Sequence, residues 1–114
     1  MARYTWIVMT NCTEGKEAEY EQWYDDVHVH DLMRIPGITA VQRGEMAPEQ
    51  QAMVEGEMVL VDEVKNPYRY VAFYTFETED PQSILEEVAR RANTPDLMVS
   101  EHLIDAHTVL YRHK

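Results

Sequence analysis

Residues 23–37 read WYDDVHVHDLMRIPG and carry the strongest local signals in the chain. Aromatic and apolar residues recur there at spacings of three and four, which is the period of an amphipathic α-helix. Pro36 and Gly37 end the pattern, because proline lacks a backbone donor and glycine accepts tight-turn geometry. We therefore predict a helix over about residues 16–33, with the side chains best suited to proton chemistry at its end.

Outward from this helix, aromatic and β-branched runs predict strands on both sides. Asp80-Pro81 is a strong start for a second helix, since Asp serves as an N-cap and Pro suits the first helical position. The order strand, helix, strand, strand, helix, strand predicts an α+β, ferredoxin-like βαββαβ fold with an antiparallel sheet. The predicted segments are strands at 4–10, 38–43, 68–76 and 104–112, a short extra strand at 57–61, a loop at 44–56 and a second helix ending before 93–95.

The composition restricts the class of protein. The 114 residues are predicted to form one domain, residues 1–114, with 21 acidic and 10 basic side chains and a net charge of −11. That charge disfavours nucleic acid and anionic membranes as partners, and no apolar run approaches the roughly 20 residues that span a bilayer. The first residues lack the apolar core of a secretion signal, so we expect a cytoplasmic protein that binds a small molecule.

Two other chemistries are open at this stage. Cys12 is the only cysteine, which excludes an intrachain disulfide, and no neighbouring base in the sequence favours its thiolate. His28 and His30 invite a metal site, yet residues two apart on a helix point about 200° from each other. Only an extended segment would let both bind one ion, and the other histidines match no compact metal signature, so we predict no metal.

The helix end carries a candidate acid–base group. On a helix, His28 lies one turn after Tyr24 and about one turn before Asp31, while Asp25 precedes it by three residues. A carboxylate at this spacing orients an imidazole, and a phenol donates to a substrate oxygen. We predict His28, Tyr24 and Asp31 as catalytic residues; a purely structural histidine bound to a carboxylate is the alternative.

Other side chains are candidates for substrate binding. Trp23, on the same turn, is suited to wall an apolar pocket, and Tyr74 belongs to an aromatic strand that could hold the substrate. Arg43 would anchor a carboxylate or enolate oxygen, or pair with a surface acid. His107 lies on the last strand, where parity alone does not say whether it faces a pocket or a partner subunit.

The strand at 68–76 is apolar at both parities, with Tyr70, Ala72 and Tyr74 opposed by Val71 and Phe73. Helices cover only one face of the predicted sheet, and an antiparallel sheet that faces water shows polar residues on its second face. We therefore expect the open face to pack against a second copy in a homodimer.

These residues carry a resemblance to a known family. The run EYEQWYDDVH at 19–28, followed by Leu32 and IPGI at 35–38, resembles the EthD-like branch of the dimeric α+β barrel superfamily. The resemblance covers about the first 45 residues; beyond them only the topology and the aromatic third strand agree. It implies sheet-to-sheet pairing of subunits and a ligand pocket between the sheet and the helices of each.

The resemblance also implies roles for particular residues. In isomerase relatives a helix histidine that aligns with His28 is the proposed acid–base group. His30 departs from the small residue or proline common two positions later, and would add a second proton carrier near the substrate. The segment 44–67 exceeds a minimal hairpin and would form a lid or reshape the pocket.

The leading hypothesis is a cofactor-independent isomerase or lyase that acts on a small aromatic, lactone or polyketide-like compound. Such reactions need only an acid and a base, and the sequence has no glycine-rich phosphate loop for a nucleotide cofactor. A cofactor-free oxygenase is a close variant, since it also begins with a deprotonation. The alternative is a non-catalytic dimer that binds a hydrophobic ligand or supports another enzyme.

Overall fold

The computed structural model describes residues 2–114, and its elements follow the predicted order. The first predicted helix is three consecutive helical segments, of which the middle one is a π-helical turn. The elements are β1 (Ala2–Cys12), α1 (Glu17–Trp23), the π-turn (Tyr24–His28), α2 (Val29–Met33), β2 (Ile38–Glu45), β3 (Gln50–Val54), β4 (Glu57–Val61), β5 (Tyr70–Thr78), α3 (Pro81–Arg91) and β6 (Leu103–Arg112).

Four strands form the main sheet in the order β2-β5-β1-β6, and each neighbouring pair is antiparallel. The two central strands, β1 and β5, are those that precede a helix in each half of the chain. This arrangement confirms the predicted ferredoxin-like α+β fold. Along residues 2–114, no helix has the length and apolar character needed to cross a membrane.

The core lies between one face of this sheet and the helices. Alternate residues of β5 point into it, as the period of two in a strand requires, and they are almost fully buried. Tyr20 and Tyr24 cover them from the helical side, and Ile84 of α3 completes the layer. The buried residues of β5 are Tyr70, Ala72, Tyr74 and Phe76.

The opposite face of the sheet is open. Register places Ile7 beside Phe73 and Val109, and Met9 beside Val71, all on the side away from the helices. Phe73 remains exposed although it is a large apolar residue. The apolar residues of β5 therefore lie on both faces of the sheet, as predicted. Within residues 2–114, only the face toward the helices is covered.

The predicted loop at 44–56 is wrong in its second half. β2 continues through Glu45, and residues 50–54 form β3, which pairs with β4 in an antiparallel hairpin. The register runs from Gln50 opposite Val61 to Val54 opposite Glu57. Sequence reasoning missed β3 because its two glutamines are not typical strand residues. The strand forms because β4 supplies its hydrogen-bond partners. The extra strand predicted at 57–61 is confirmed.

Both predicted helix signals are confirmed. Asp80 caps α3, since its Oδ1 accepts a hydrogen bond from the Ser83 backbone N–H at 3.2 Å, and Pro81 is the first helical residue. Gly37 follows α2 with φ of +99°, a conformation that L residues adopt only with strain. The Gly37 backbone also lies against Ile84, which ties the turn to α3.

Substitution of Gly37 by Ala is expected to lower the free energy of unfolding by about 2–4 kcal/mol. A Cβ there would lie 2.5 Å from Ile84 Cδ1, in addition to the strain of positive φ. Gly15→Ala is the matched control, because Gly15 has φ of +84° and a methyl group added to it would meet no atom within 4 Å. That control isolates the backbone cost, about 1 kcal/mol. Equal losses in urea denaturation would show that close packing at Gly37 is unimportant.

Candidate functional site

The π-turn interrupts the first helix at the residues that the sequence singled out. Tyr24 is its first residue and His28 its last, and the flanking segments α1 and α2 are regular. A π-turn accommodates one additional residue per turn and is frequent at functional sites. Here it leaves both Tyr24 and His28 buried, with Asp25, Asp26 and Val27 exposed between them.

His28 is enclosed by aromatic rings. The residue is only 9% exposed, and its ring stacks on Trp23 with centroids 4.5 Å apart. The Tyr24 ring meets it edge-on at 4.9 Å. The Nδ1 atom of His28 is buried and has no hydrogen-bond partner among residues 2–114. A buried nitrogen without a partner is costly even in a neutral ring, unless a ligand supplies the missing bond.

The environment keeps His28 neutral. Burial, with a smaller contribution from the positive charge of Arg43, lowers the pKa of His28 to about 4. At neutral pH the imidazole therefore has one nitrogen free to accept a proton or a hydrogen bond. Its conjugate acid is disfavoured unless a negative charge arrives beside it.

Arg43 connects the sheet to the helix. Its Nη2 donates to Glu21 Oε1 at 2.6 Å and its Nη1 to Asp25 Oδ1 at 2.8 Å. The guanidinium lies over the Tyr24 ring, with Cζ 4.0 Å from the centroid, in cation–π geometry. The side chain is only 13% exposed, and its Nε is buried without an acceptor in the part of the chain that the structure describes. Of the two roles predicted for Arg43, the structure shows the ion pair with acidic residues. The arginine side chain is nevertheless largely buried.

The predicted carboxylate partners of His28 are engaged elsewhere. Asp31 Oδ1 accepts from Arg34 Nη1 at 2.6 Å, and Asp25 pairs with Arg43. The buried Nδ1 of His28 is bound to neither carboxylate. The expected Asp31–His28 pair is therefore not formed at Nδ1, because Arg34, which also lies three residues from Asp31, binds its carboxylate instead.

Tyr24, which contacts the His28 ring, is joined to Tyr74 in the buried layer between the sheet and the helices. Tyr74 donates a long hydrogen bond of 3.5 Å to the Tyr24 hydroxyl oxygen, and both residues are at most 1% exposed. Burial raises the pKa of each phenol, so both stay protonated. Tyr20 and Thr10 hydrogen-bond deeper in the same layer. The rings fill the space between the sheet and the helices, where the resemblance implied a pocket.

Two predicted histidines lie away from this site. His30 is exposed on α2. His107 lies on the open face, since it pairs with Met9 in the register, and its ring stacks on Tyr68 with centroids 6.0 Å apart. The structure thus groups Trp23, Tyr24, His28, Arg43 and Tyr74, and separates the two other histidines from them.

Sequence reasoning missed Met98 and Glu21 as site residues. The Trp23 Nε1–H donates to the Met98 carbonyl oxygen at 3.2 Å, which fixes the indole that stacks on His28. Glu21 holds Arg43 in place. Glu21 lies one helical turn before Asp25, a spacing that signals a shared helix face but not the arginine that binds it.

The structure also describes the residues named for thiol and metal chemistry. Burial and the nearby Glu17 raise the pKa of Cys12, which disfavours a reactive thiolate. Among residues 2–114, no three His, Cys, Asp or Glu side chains cluster as metal ligands.

Comparison of the whole structure shows the fold. A putative monooxygenase from Shewanella loihica PV-4 matches over 100% of this chain and 97% of its own, with a TM-score of 0.54 and 19% identity. This likeness confirms the fold. An EthD family protein from Bacillus halodurans C-125 also matches over 100% of both chains, with a TM-score of 0.48 and 10% identity. No protein-family model and no curated protein matches the sequence.

Replacing Arg43 is expected to raise the pKa of His28 above its value of about 4, because a nearby positive charge disfavours the imidazolium. Arg43→Met removes this charge, and Arg43→Lys retains it. Arg3→Met is the matched control, since Arg3 pairs with Glu77 and both side chains are exposed. Titration of the imidazole signals by NMR measures the shift. A pKa that is equally low in Arg43→Met would assign the whole effect to burial.

Protonation of His28 is expected to destabilise the fold in mild acid. The folded-state pKa of about 4 lies below the unfolded value of 6.5, so the unfolded chain binds the proton first. The contribution of neutral His28 to the free energy of unfolding is complete at pH 7 and is lost as the pH falls from 6.5 to 4. It amounts to about 3 kcal/mol. Urea denaturation at several pH values should show that the free energy of unfolding decreases less with falling pH in His28→Gln than in wild type. The same slope in both would contradict the prediction; His30→Gln controls for an exposed imidazole.

Proposed function

We propose that this protein is a cofactor-independent enzyme in which neutral His28 accepts a proton from a small, largely apolar substrate. The observation that carries the proposal is the buried, partnerless Nδ1 of an imidazole held between Trp23 and Tyr24. A structural histidine in such a place would normally have its nitrogen satisfied by a carboxylate or a carbonyl. Here the carboxylates nearby are bound by arginines instead.

The low pKa of His28 suits a base that is active only when substrate is bound. In the free protein the imidazole is neutral and so competent to accept a proton. A substrate that develops negative charge as it is deprotonated would stabilise the imidazolium and raise the pKa of His28 toward the working range. The buried N–H of Arg43, which lacks an acceptor, is a second group that such a charge would favour.

The surroundings of His28 favour a flat apolar substrate. Trp23 supplies an indole face, and the exposed side chains of Val27 and Met98 belong to the same end of the helical layer. Because Tyr24, Tyr74 and the Nδ1 atom of His28 are buried, a substrate that reaches them must shift the surrounding rings on binding. We propose a small aromatic, lactone or polyketide-like compound, with Trp23 as the principal contact.

The reaction class has two candidates. Isomerisation or elimination needs proton transfer alone, and the site offers one neutral base with phenols that remain protonated. Cofactor-free oxygenation is the second candidate, favoured by the name of the Shewanella protein with the same fold. It also begins with deprotonation of an activated carbon, after which the carbanion would react with molecular oxygen.

We propose further that the working form is a homodimer joined through the open sheet face. In support, this face presents Ile7, Met9, Val71 and Phe73 side by side, although an isolated antiparallel sheet would show polar residues there. The radius of gyration of 15.8 Å exceeds the about 13 Å of a compact chain of this length, as expected for a subunit that is completed by a partner.

The function is tested with His28→Gln and with its matched control His30→Gln, an exposed histidine two residues further along the same helical region. Both purified proteins are assayed with a panel of enol lactones and hydroxylated polycyclic aromatics, in air and without oxygen. We expect His28→Gln to lower kcat/KM by about 10²- to 10⁴-fold, because a general base contributes that much, while His30→Gln leaves it near wild type.

The outcomes separate the candidates. Product formed without oxygen supports the isomerase or lyase, and product formed only in air, with oxygen consumed, supports the oxygenase. Wild-type turnover by His28→Gln would remove His28 from the mechanism. Ligand binding by wild type, seen as a change in tryptophan fluorescence, with no turnover across the panel would favour a hydrophobic-ligand-binding protein.

A further inference from the structure

The β3–β4 hairpin is an apolar element that the rest of its own chain leaves exposed. Its strands pair only with each other in the described residues 2–114. Register puts Met53 opposite Met58 and Gln51 opposite Leu60 on one face, which carries no charge. Leu60 is 88% exposed and Met58 56% exposed. We call residues 50–61 the arm and these four side chains the arm face.

The apolar side chains of such an arm are expected to pack against another surface. A two-stranded hairpin is at best marginally stable in water, and one that exposes methionine and leucine side chains gains little from burial. In a chain with a net charge of −11, an uncharged apolar strip of this size also differs from the remaining surface.

The arm does not fold back over its own sheet. The subunit measures 45 × 39 × 17 Å. A sheet and its helical layer already lie about 10 Å apart, and a third layer would add about 10 Å more. The thin dimension of 17 Å therefore leaves the arm beside the sheet, and its apolar face is free to reach another molecule.

A receiving groove lies on the open face near the base of the arm. It has a volume of about 360 Å³, and polar groups that include Asn66 and Arg69 share its lining. That space is large enough for several side chains of the size of leucine or methionine. Its apolar lining residues include Ile7, Met9, Met46, Tyr68, Val71 and Phe73.

The area of the sheet alone is small for a stable pair. Four strands of 8 to 11 residues present a projected area of about 600 Å², whereas a standard interface buries about 800 Å² of accessible surface on each partner. A second copy that uses the arm as well as the sheet brings the interface closer to this size. The occupant that fits both the apolar groove and the apolar arm face is thus a second copy of the chain.

We propose that the two subunits exchange arms, so that the arm face of each packs into the open-face groove of the other. The proposal goes beyond the chemistry at His28 and rests on the pairing of open faces. It assigns to residues 50–61 an intermolecular role, in place of the lid over the chain's own pocket that the sequence suggested. It also explains why Leu60, a large apolar residue, is almost fully exposed in one subunit.

The first test compares Met58→Asp in the arm with Met98→Asp, a matched methionine that is 50% exposed on the helical side. Sedimentation equilibrium measures the dissociation constant of a pair of 13.4 kDa chains. We expect Met58→Asp to raise this constant by about a hundredfold, because each dimer loses two buried methionines, and Met98→Asp to leave it unchanged. A monomeric wild type, or equal constants for both variants, would overturn the proposal.

The second test identifies which surfaces touch. In a Cys12→Ser background, one chain carries Leu60→Cys, and a differently tagged chain carries Phe73→Cys. Mild oxidation of the mixture should give a disulfide-linked heterodimer, and Met98→Cys in place of Leu60→Cys should not. If the dimer is stable but this cross-link does not form, arm exchange is wrong and the pairing of open faces still stands. Turnover of the wild type is read separately, so failure here leaves the assignment of His28 intact.

Discussion

The guanidinium of Arg43 is the interaction on which both the fold and the site depend. It bonds to Glu21 in α1 and to Asp25 in the π-turn from a position in β2, and it lies over the ring of Tyr24. Through these contacts one side chain joins α1 and the π-turn to β2, beside the apolar layer that packs the helices on the sheet. Because its charge also disfavours the imidazolium of His28, the same group that orders the structure helps to set the protonation state of the candidate base.

The π-turn explains why the site has an arrangement that regular helical spacing does not give. An additional residue within the turn rotates the residues after it relative to those before it. Tyr24, His28 and Asp31 are all buried, and the Asp31 carboxylate binds Arg34 rather than the Nδ1 of His28. The imidazole of His28 is therefore surrounded by aromatic rings and its Nδ1 is not bound to a carboxylate. This arrangement suits a candidate base whose protonated form is stabilised by the charge of a substrate, rather than by an acidic side chain of the protein.

Several features were predictable because short-range patterns specify them. The Asp80-Pro81 start of α3, the Pro-Gly turn after α2 and the doubly apolar strand β5 follow from capping, φ restriction and the period of two. The strand β3 was not predictable in this way. Residues 50–54 contain two glutamines, and their strand conformation depends on hydrogen bonds to residues 57–61. Local propensity does not report such pairing.

The order of the elements, the ferredoxin-like plan and the place of His28 in the first helical region depend on periodicity and turn chemistry, so the amino-acid order is sufficient to predict them. The groups that meet at His28 are known only from the way separate elements pack. Arg43 is distant in sequence from Glu21 and Asp25, and the balance between burial and charge that sets a pKa arises where separate elements pack. The same holds for His107, because only its register with β1 places it on the open face.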